Sequence, residues 1–140
     1  MKKLLLAVSI LCLSATLGLS QGVKFEEGTW AEVVAKAKAE NKPIFVDLYA
    51  TWCGPCKVMA KNTFTDNNVG NKFNASFISY RIDAEKGEGL TLVKKYPIKG
   101  YPTCIFVNPS DEKEIYRFMG ARTPSELLEE ANKALEKVKK

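Results

Sequence analysis

From Thr29 onward the chain switches repeatedly between the spaced apolar stripe of a helix and the compact apolar run of a strand. Thr29-Trp30-Ala31-Glu32 has the pattern of a capping box. It opens an amphipathic helix carrying Trp30, Val33, Val34 and Ala37, which fades by Asn41. Pro43 then admits an apolar, β-rich run, Ile44 to Ala50. A helix-like stretch follows from about Cys53 to Thr63, and Asp66 caps a short turn of helix carrying Val69 and Phe73. Phe77 to Asp83 alternates as a strand, and Gly87 and Gly89 break the chain before a helix over Leu90 to Tyr96. Thr103 to Val107 reads as a third strand. Pro109-Ser110-Asp111 turns it into a hairpin partner, Glu114 to Met119, which Gly120 ends. Thr123-Pro124-Ser125-Glu126 joins a capping box to a proline at the first helical position. The last helix then sets Leu127, Leu128, Ala131, Leu135 and Val138 on one face. The order βαβ followed by ββα, without repeat or linker, predicts one α/β domain with a central mixed sheet flanked by helices.

The first twenty residues belong to another pattern. Lys2 and Lys3 precede an apolar stretch, Leu4 to Leu19, and Gly18 and Ser20 offer small residues for a cut before Gln21. This is the layout of a secretory signal peptide over 1–20, leaving a domain over 21–140. The alternatives are an uncleaved anchor, for which the stretch is shorter than the ~20 residues that span a bilayer, and a lipoprotein signal at Cys12, which bulky Ile10-Leu11 disfavours. The pattern looks bacterial and points to the periplasm. The formal net charge of +5 drops by two with Lys2 and Lys3. The remaining basic residues are interspersed with acids, as at Lys36, Lys38 and Glu40, which reads as a solvated surface and not as a nucleic-acid interface.

Chemistry concentrates at Trp52-Cys53-Gly54-Pro55-Cys56. Two cysteines two residues apart can close and reopen a small disulfide. The preceding strand and following helix place Cys53 at a helix N-terminus, where N–H groups and the macrodipole favour an anion. A thiolate there is stabilised and reactive, so C-x-x-C in this context reads as a redox motif. A structural zinc site would need four ligands. The chain has no histidine, and its other cysteines, Cys12 and Cys104, do not form a second pair. An inert structural disulfide is the remaining alternative. Asp47 interrupts an apolar strand. Buried, its carboxyl would be pushed up; at the strand end it would face solvent. Cys104 falls on a core strand, where a free cysteine packs as a small hydrophobe or serves a regulatory or resolving role. Met59, Phe64, Phe73 and Phe106 read as core.

Three separated motifs resemble the thioredoxin family: Val46-Asp47-Leu48-Tyr49-Ala50 leading into Trp52 to Lys57, Lys99-Gly100-Tyr101-Pro102-Thr103, and Phe118-Met119-Gly120. The resemblance runs from Trp30 to Lys140 and implies the thioredoxin fold. It implies Cys53 as nucleophile and the more exposed sulfur, Cys56 as the resolving thiol and Asp47 as proton acceptor for Cys56. It further implies a cis bond before Pro102, with Tyr101 offering its backbone and ring to substrate. Gly54 leaves room for a substrate backbone, Pro55 restricts the turn, and Trp52 shields the disulfide or simply packs on the helix. Thioredoxins commonly pair the buried acid with a lysine on the next strand. Here Ser79 aligns with it, with Tyr80 and Arg81 close by, so Asp47 is expected to be less well paired. Lys61 stands where many members carry a mid-helix proline, which implies a straighter helix. The run into Thr63-Phe64-Thr65-Asp66 is similar to exported thioredoxin-like domains of transmembrane electron-transport reductases.

The expected activity is therefore an exported thiol-disulfide oxidoreductase that reduces disulfides of proteins or small molecules. Its dithiol carries two electrons, so no bound cofactor is needed. An oxidising compartment makes a membrane electron donor the implied partner, and the domain is expected to act as a monomer. The alternatives are an oxidase or isomerase on the same fold, and a non-enzymatic binding or holdase module.

Overall fold

The computed structural model describes residues 21–139. The signal-peptide expectation, with Cys12, lies outside the described residues.

Ten elements follow in order: β1 (Phe25–Glu26), α1 (Trp30–Glu40), β2 (Ile44–Tyr49), α2 (Gly54–Asn62), α3 (Asn67–Ser76), β3 (Ile78–Asp83), α4 (Glu88–Lys95), β4 (Thr103–Val107), β5 (Glu114–Met119) and α5 (Pro124–Val138). Both capping boxes form. Thr29 and Glu32 exchange side-chain and backbone bonds at α1, and Thr123 and Glu126 do so at α5. Each supplies partners for amides that a helix start would otherwise leave unbonded. Asp66 accepts from Asn68 and Val69 and starts ten residues of helix, more than the single turn expected.

The strands form one mixed sheet in the order β1-β3-β2-β4-β5. β1, β3 and β2 run parallel; β4 is antiparallel to β2, and β5 to β4. β2 is central and covered on both faces, which explains its unbroken apolar run. Its even positions, Ile44, Val46 and Leu48, join Trp30, Val33 and Ala37 of α1 and Leu92 of α4 in one core. Phe45 points the other way, to Met59, Val69, Phe73, Phe106, Leu127 and Ala131 beneath α2, α3 and α5. Alternation places Asp47 on this second face, the face that carries α2.

Two expectations change. β1 is only two residues long, too short for a periodic signal, and it adds a strand at the sheet edge. On α5 the buried face is Leu127, Glu130, Ala131 and Ala134; Leu128 and Leu135 are only partly covered and Val138 is half exposed. The face is rotated because a carboxylate is accommodated on it. Glu130 accepts from Tyr116 at 2.5 Å, Arg122 at 3.0 Å and Lys133 at 3.3 Å. Burial opposes its ionisation, but these bonds outweigh burial and hold its carboxyl below the ordinary range. Near the N-terminus, Gln21 and Gly22 cross α3 directly over Gly70, where a Cβ would strike their backbone.

Candidate active site

Strand β2 ends at Tyr49, and α2 begins four residues after Ala50, at Gly54. Cys53 occupies the N-cap of α2 and Pro55 its first turn. Cys53 and Cys56 are joined as a disulfide with Cα atoms 5.3 Å apart. The Cys56 amide donates to Cys53 Sγ at 3.2 Å, and the Cys53 amide donates to Ala50 O at 3.2 Å. The outer sulfur therefore already sits on a helix-start amide, the kind of donor that favours a thiolate once the disulfide opens. The expected contrast in exposure is small. Cys53 is 4 % and Cys56 1 % exposed, so both sulfurs are covered in the disulfide form.

The rim around them is apolar and open. Trp52 is 67 % exposed and meets Tyr101 edge-on, with ring centroids 5.7 Å apart. Its indole N–H donates to both oxygens of Glu85, at 3.2 and 3.0 Å, so Trp52 is tethered out over the rim and not folded onto α2. Tyr101 packs against the cluster of Ala50, Cys53 and Cys56. The Tyr101–Pro102 bond is cis. Gly120, at φ +93, has a conformation that costs glycine little. Its amide donates to Pro102 O at 2.9 Å, which brings exposed Met119 alongside Gly100. Open space surrounds Gly54 on its side-chain side.

Beneath this rim lies Asp47, 1 % exposed. The expectation that it is poorly paired is corrected. Arg81 Nε donates to Asp47 Oδ2 at 2.7 Å, and the Cys104 thiol donates to Oδ1 at 3.6 Å. Ser79 is in register with Phe45, and its buried hydroxyl has no hydrogen-bond partner among the described residues. Burial pushes the Asp47 carboxyl up, and the bonds from Arg81 and Cys104 offset part of this. Burial, with the neighbouring Asp47, pushes the Cys104 thiol well up, so Cys104 is held as a protonated thiol. An open groove of about 450 Å3 borders the inner cysteine and is lined by Tyr49, Thr51, Cys56, Lys57, Ala60 and Arg81, among others.

The structure thus brings together Cys53, Cys56, Trp52, Gly54, Pro55, Tyr101 and Pro102 at one end of the sheet, with Asp47 buried below. Sequence reasoning left three features unassigned: Arg81 as the partner of Asp47, the Cys104 bond to Asp47, and the Glu85 tether of Trp52. A cation two residues before the end of a strand that neighbours an acid-bearing strand was the available signal for Arg81.

A model of thioredoxin-like domains matches residues 25–109. A thiol:disulfide interchange protein DsbD from Yersinia pestis is 39% identical over 71 residues, which is 50% of this chain and only 12% of that protein. The solution structure of a putative disulphide-isomerase from Bacteroides thetaiotaomicron superposes with a TM-score of 0.73 at 41% identity, covering 83% of this chain and 95% of that one. The C-terminal domain of Neisseria meningitidis DsbD in its oxidised form gives a TM-score of 0.62 at 25% identity, covering 74% and 90% respectively. With the family match, the mixed sheet and a C-x-x-C disulfide at the head of α2, the chain belongs to the thioredoxin-like thiol-disulfide oxidoreductases.

Proposed function

We propose that this protein is an exported disulfide reductase cycling between a Cys53–Cys56 dithiol and the disulfide. In the reduced form the Cys53 thiolate attacks a substrate disulfide. A mixed disulfide forms, and one substrate sulfur leaves as a thiolate. Cys56 gives its proton to Asp47 and attacks Cys53 Sγ, which closes the internal disulfide and releases the second substrate sulfur. Trp52, Gly54, Pro55, Tyr101 and Pro102 form the docking rim. The observation that carries this reading is the Cys53 sulfur at the N-cap of α2, bonded to the Cys56 amide beside the exposed rim of Trp52 and Met119.

The reducing direction is supported by Gly-Pro between the cysteines, which resembles reducing members of the family. Export is supported by the signal pattern over 1–20. In an oxidising compartment the dithiol needs a supply of electrons, for which we assign a membrane-bound donor. The domain acts as a monomer and its dithiol carries both electrons, so no further cofactor is required.

Insulin reduction by the reduced protein, together with titration of the Cys53–Cys56 pair against glutathione, tests the proposal. Turnover and a potential more reducing than glutathione are expected. A potential well above that of glutathione would replace the reductase with an oxidase. A second reading, disulfide isomerase, is favoured by the similarity to the Bacteroides protein. Reactivation of scrambled ribonuclease by the reduced protein, without net oxidant, would select it.

A further inference from the structure

The open groove of about 450 Å3 that borders Cys56 has charged lining of one sign only: Lys57, Lys61 and Arg81. Lys57 and Lys61 stand four positions apart, so α2 presents them on one face. Like charges at that spacing destabilise a helix slightly, and α2 contains no acidic residue to offset them. Neither lysine forms an ion pair among the described residues. Arg81 pairs with buried Asp47 through Nε, and its guanidinium lies 4.0 Å from the centre of the Tyr49 ring. Its two terminal nitrogens have no hydrogen bond among the described residues. Tyr49 and Ala60 complete the wall as apolar surface. The smaller groove at Lys36 is different: Glu26 and Glu40 line it too, and both pair with Lys36. The carboxylate nearest the redox rim, Glu85, is bonded to the Trp52 indole and is not part of the Cys56 groove.

We propose that this groove is a subsite for the carboxylate side chains of a protein substrate, taking an acidic segment next to the disulfide under attack, with Lys57 and Lys61 as its specificity-determining residues. The proposal deepens the reductase reading and rests on Cys53–Cys56 as the reactive pair. The reach is short. Lys57 directly follows Cys56, and Lys61 lies four residues further, about 6 Å along the helix at 1.5 Å per residue. An extended substrate chain advances about 3.3–3.6 Å per residue, so residues two to four positions from its cysteine span the distance from the sulfurs to both lysines. Lysine ammonium groups are point charges on flexible stems, which suits a run of Asp or Glu without fixed spacing, and the free side of the Arg81 guanidinium adds further donors at the wall. Glu85 at the aromatic rim repels the same segment. Charge therefore draws an acidic flank to the groove and sets which way the substrate chain lies across the disulfide.

The test uses disulfide-linked peptides that differ only in the residues flanking the cysteine, which are glutamates, glutamines or lysines. Reduced wild type is expected to act on the glutamate peptide with kcat/KM about 2- to 25-fold above the glutamine peptide, two exposed ion pairs contributing about 1.4- to 5-fold each. The gain should collapse in 1 M salt, where the screening length is about 3 Å. Both lysines are exposed, so their substitution leaves the fold intact. With Lys57→Gln and Lys61→Gln combined the ratio should fall toward one. With Lys57→Glu and Lys61→Glu combined the lysine peptide should become the better substrate, a reversal that altered stability alone does not produce. Equal kcat/KM for the three peptides in wild type, a preference that survives the glutamine substitutions, or one that the glutamate substitutions do not reverse overturns the proposal. In a second arm, the same peptides with serine in place of cysteine are titrated into the oxidised protein while the lysine side-chain resonances are followed by NMR. The glutamate peptide should shift Lys57 and Lys61; unmoved resonances overturn the proposal. Inorganic phosphate or phosphatidylglycerol vesicles shifting them at lower concentration than the peptide would give the groove to a free anion or a membrane surface, and overturn it as well. The binding arm involves no electron transfer, so selective binding without reduction of any peptide upholds the subsite and counts against the reductase reading alone.

Discussion

Replacing Asp47 by asparagine turns the burial of one carboxyl into a measurable dependence of stability on pH. Asp47 lies on the covered face of the central strand. Burial pushes its carboxyl up, and the bonds from Arg81 and Cys104 offset that only in part. The folded protein therefore holds this proton more tightly than the unfolded chain, in which aspartate titrates near 4 (about 3.9). Its contribution to stability is fully present below that pH and is lost as pH rises through the folded value. Above the folded value, each pH unit between the two costs the wild type about 1.4 kcal/mol. Asparagine has the same shape and does not titrate, and its amide oxygen can still accept from Arg81. The Arg81 side chain is 26 % exposed, so water reaches the guanidinium when the ion pair is lost. Asp47→Asn should therefore match the wild type near pH 4 and become progressively more stable than it toward pH 8. Urea unfolding of both oxidised proteins across that range, compared at constant m-value, measures the difference. A gap independent of pH would mean that the carboxyl does not titrate abnormally. A wild type that gains on the variant as pH rises would mean that the Arg81 pair outweighs burial, and the reasoning would be wrong.

Cys53→Ser should abolish insulin reduction while keeping the far-ultraviolet spectrum of the wild type; residual turnover at the wild-type rate would remove Cys53 as nucleophile. Cys56→Ser should accumulate substrates as mixed disulfides on Cys53, detectable as thiol-sensitive bands on non-reducing gels, and their absence in well-expressed protein would count against the resolving role. Glu130 lies below its ordinary value, so its contribution is present above about pH 4.5 and lost as pH falls through the folded value. Glu130→Gln should accordingly be less stable than wild type at pH 7, with the gap closing on acidification, and thermal melts at pH 3 and 7 check this. Phe45→Ala should cost about 3–5 kcal/mol, because Phe45 is fully buried and meets Phe64, Phe73 and Phe106 at ring-centroid distances of 4.8–6.1 Å; a loss below about 1.5 kcal/mol would mean that the core refills the space.

Local signals carried most of this fold. The caps at Thr29 and Thr123, the strand β4 and its hairpin partner β5, and the N-cap position of Cys53 all depend on residues within a few positions of one another. Capping and periodicity act at that range, so the chain declares them without reference to its folded form. The redox pair belongs to this class, because both sulfurs lie within one helical turn. The surroundings of the pair do not. Arg81 lies 34 positions from Asp47, and Cys104 57 positions from it. They meet only because strand register puts all three in one row. A shift of one residue would turn either neighbour to the opposite face, and a shift of two would set Ser79 opposite Asp47 in place of Arg81, so composition and spacing favour neither Ser79 nor Arg81 in advance. The same holds for Glu85 reaching Trp52 across 33 positions, and for Glu130, whose burial on α5 follows from Tyr116 and Arg122 arriving from another strand and loop. The sequence places the two sulfurs at the helix start, whereas the partners of the buried Asp47 are set by how three strands align.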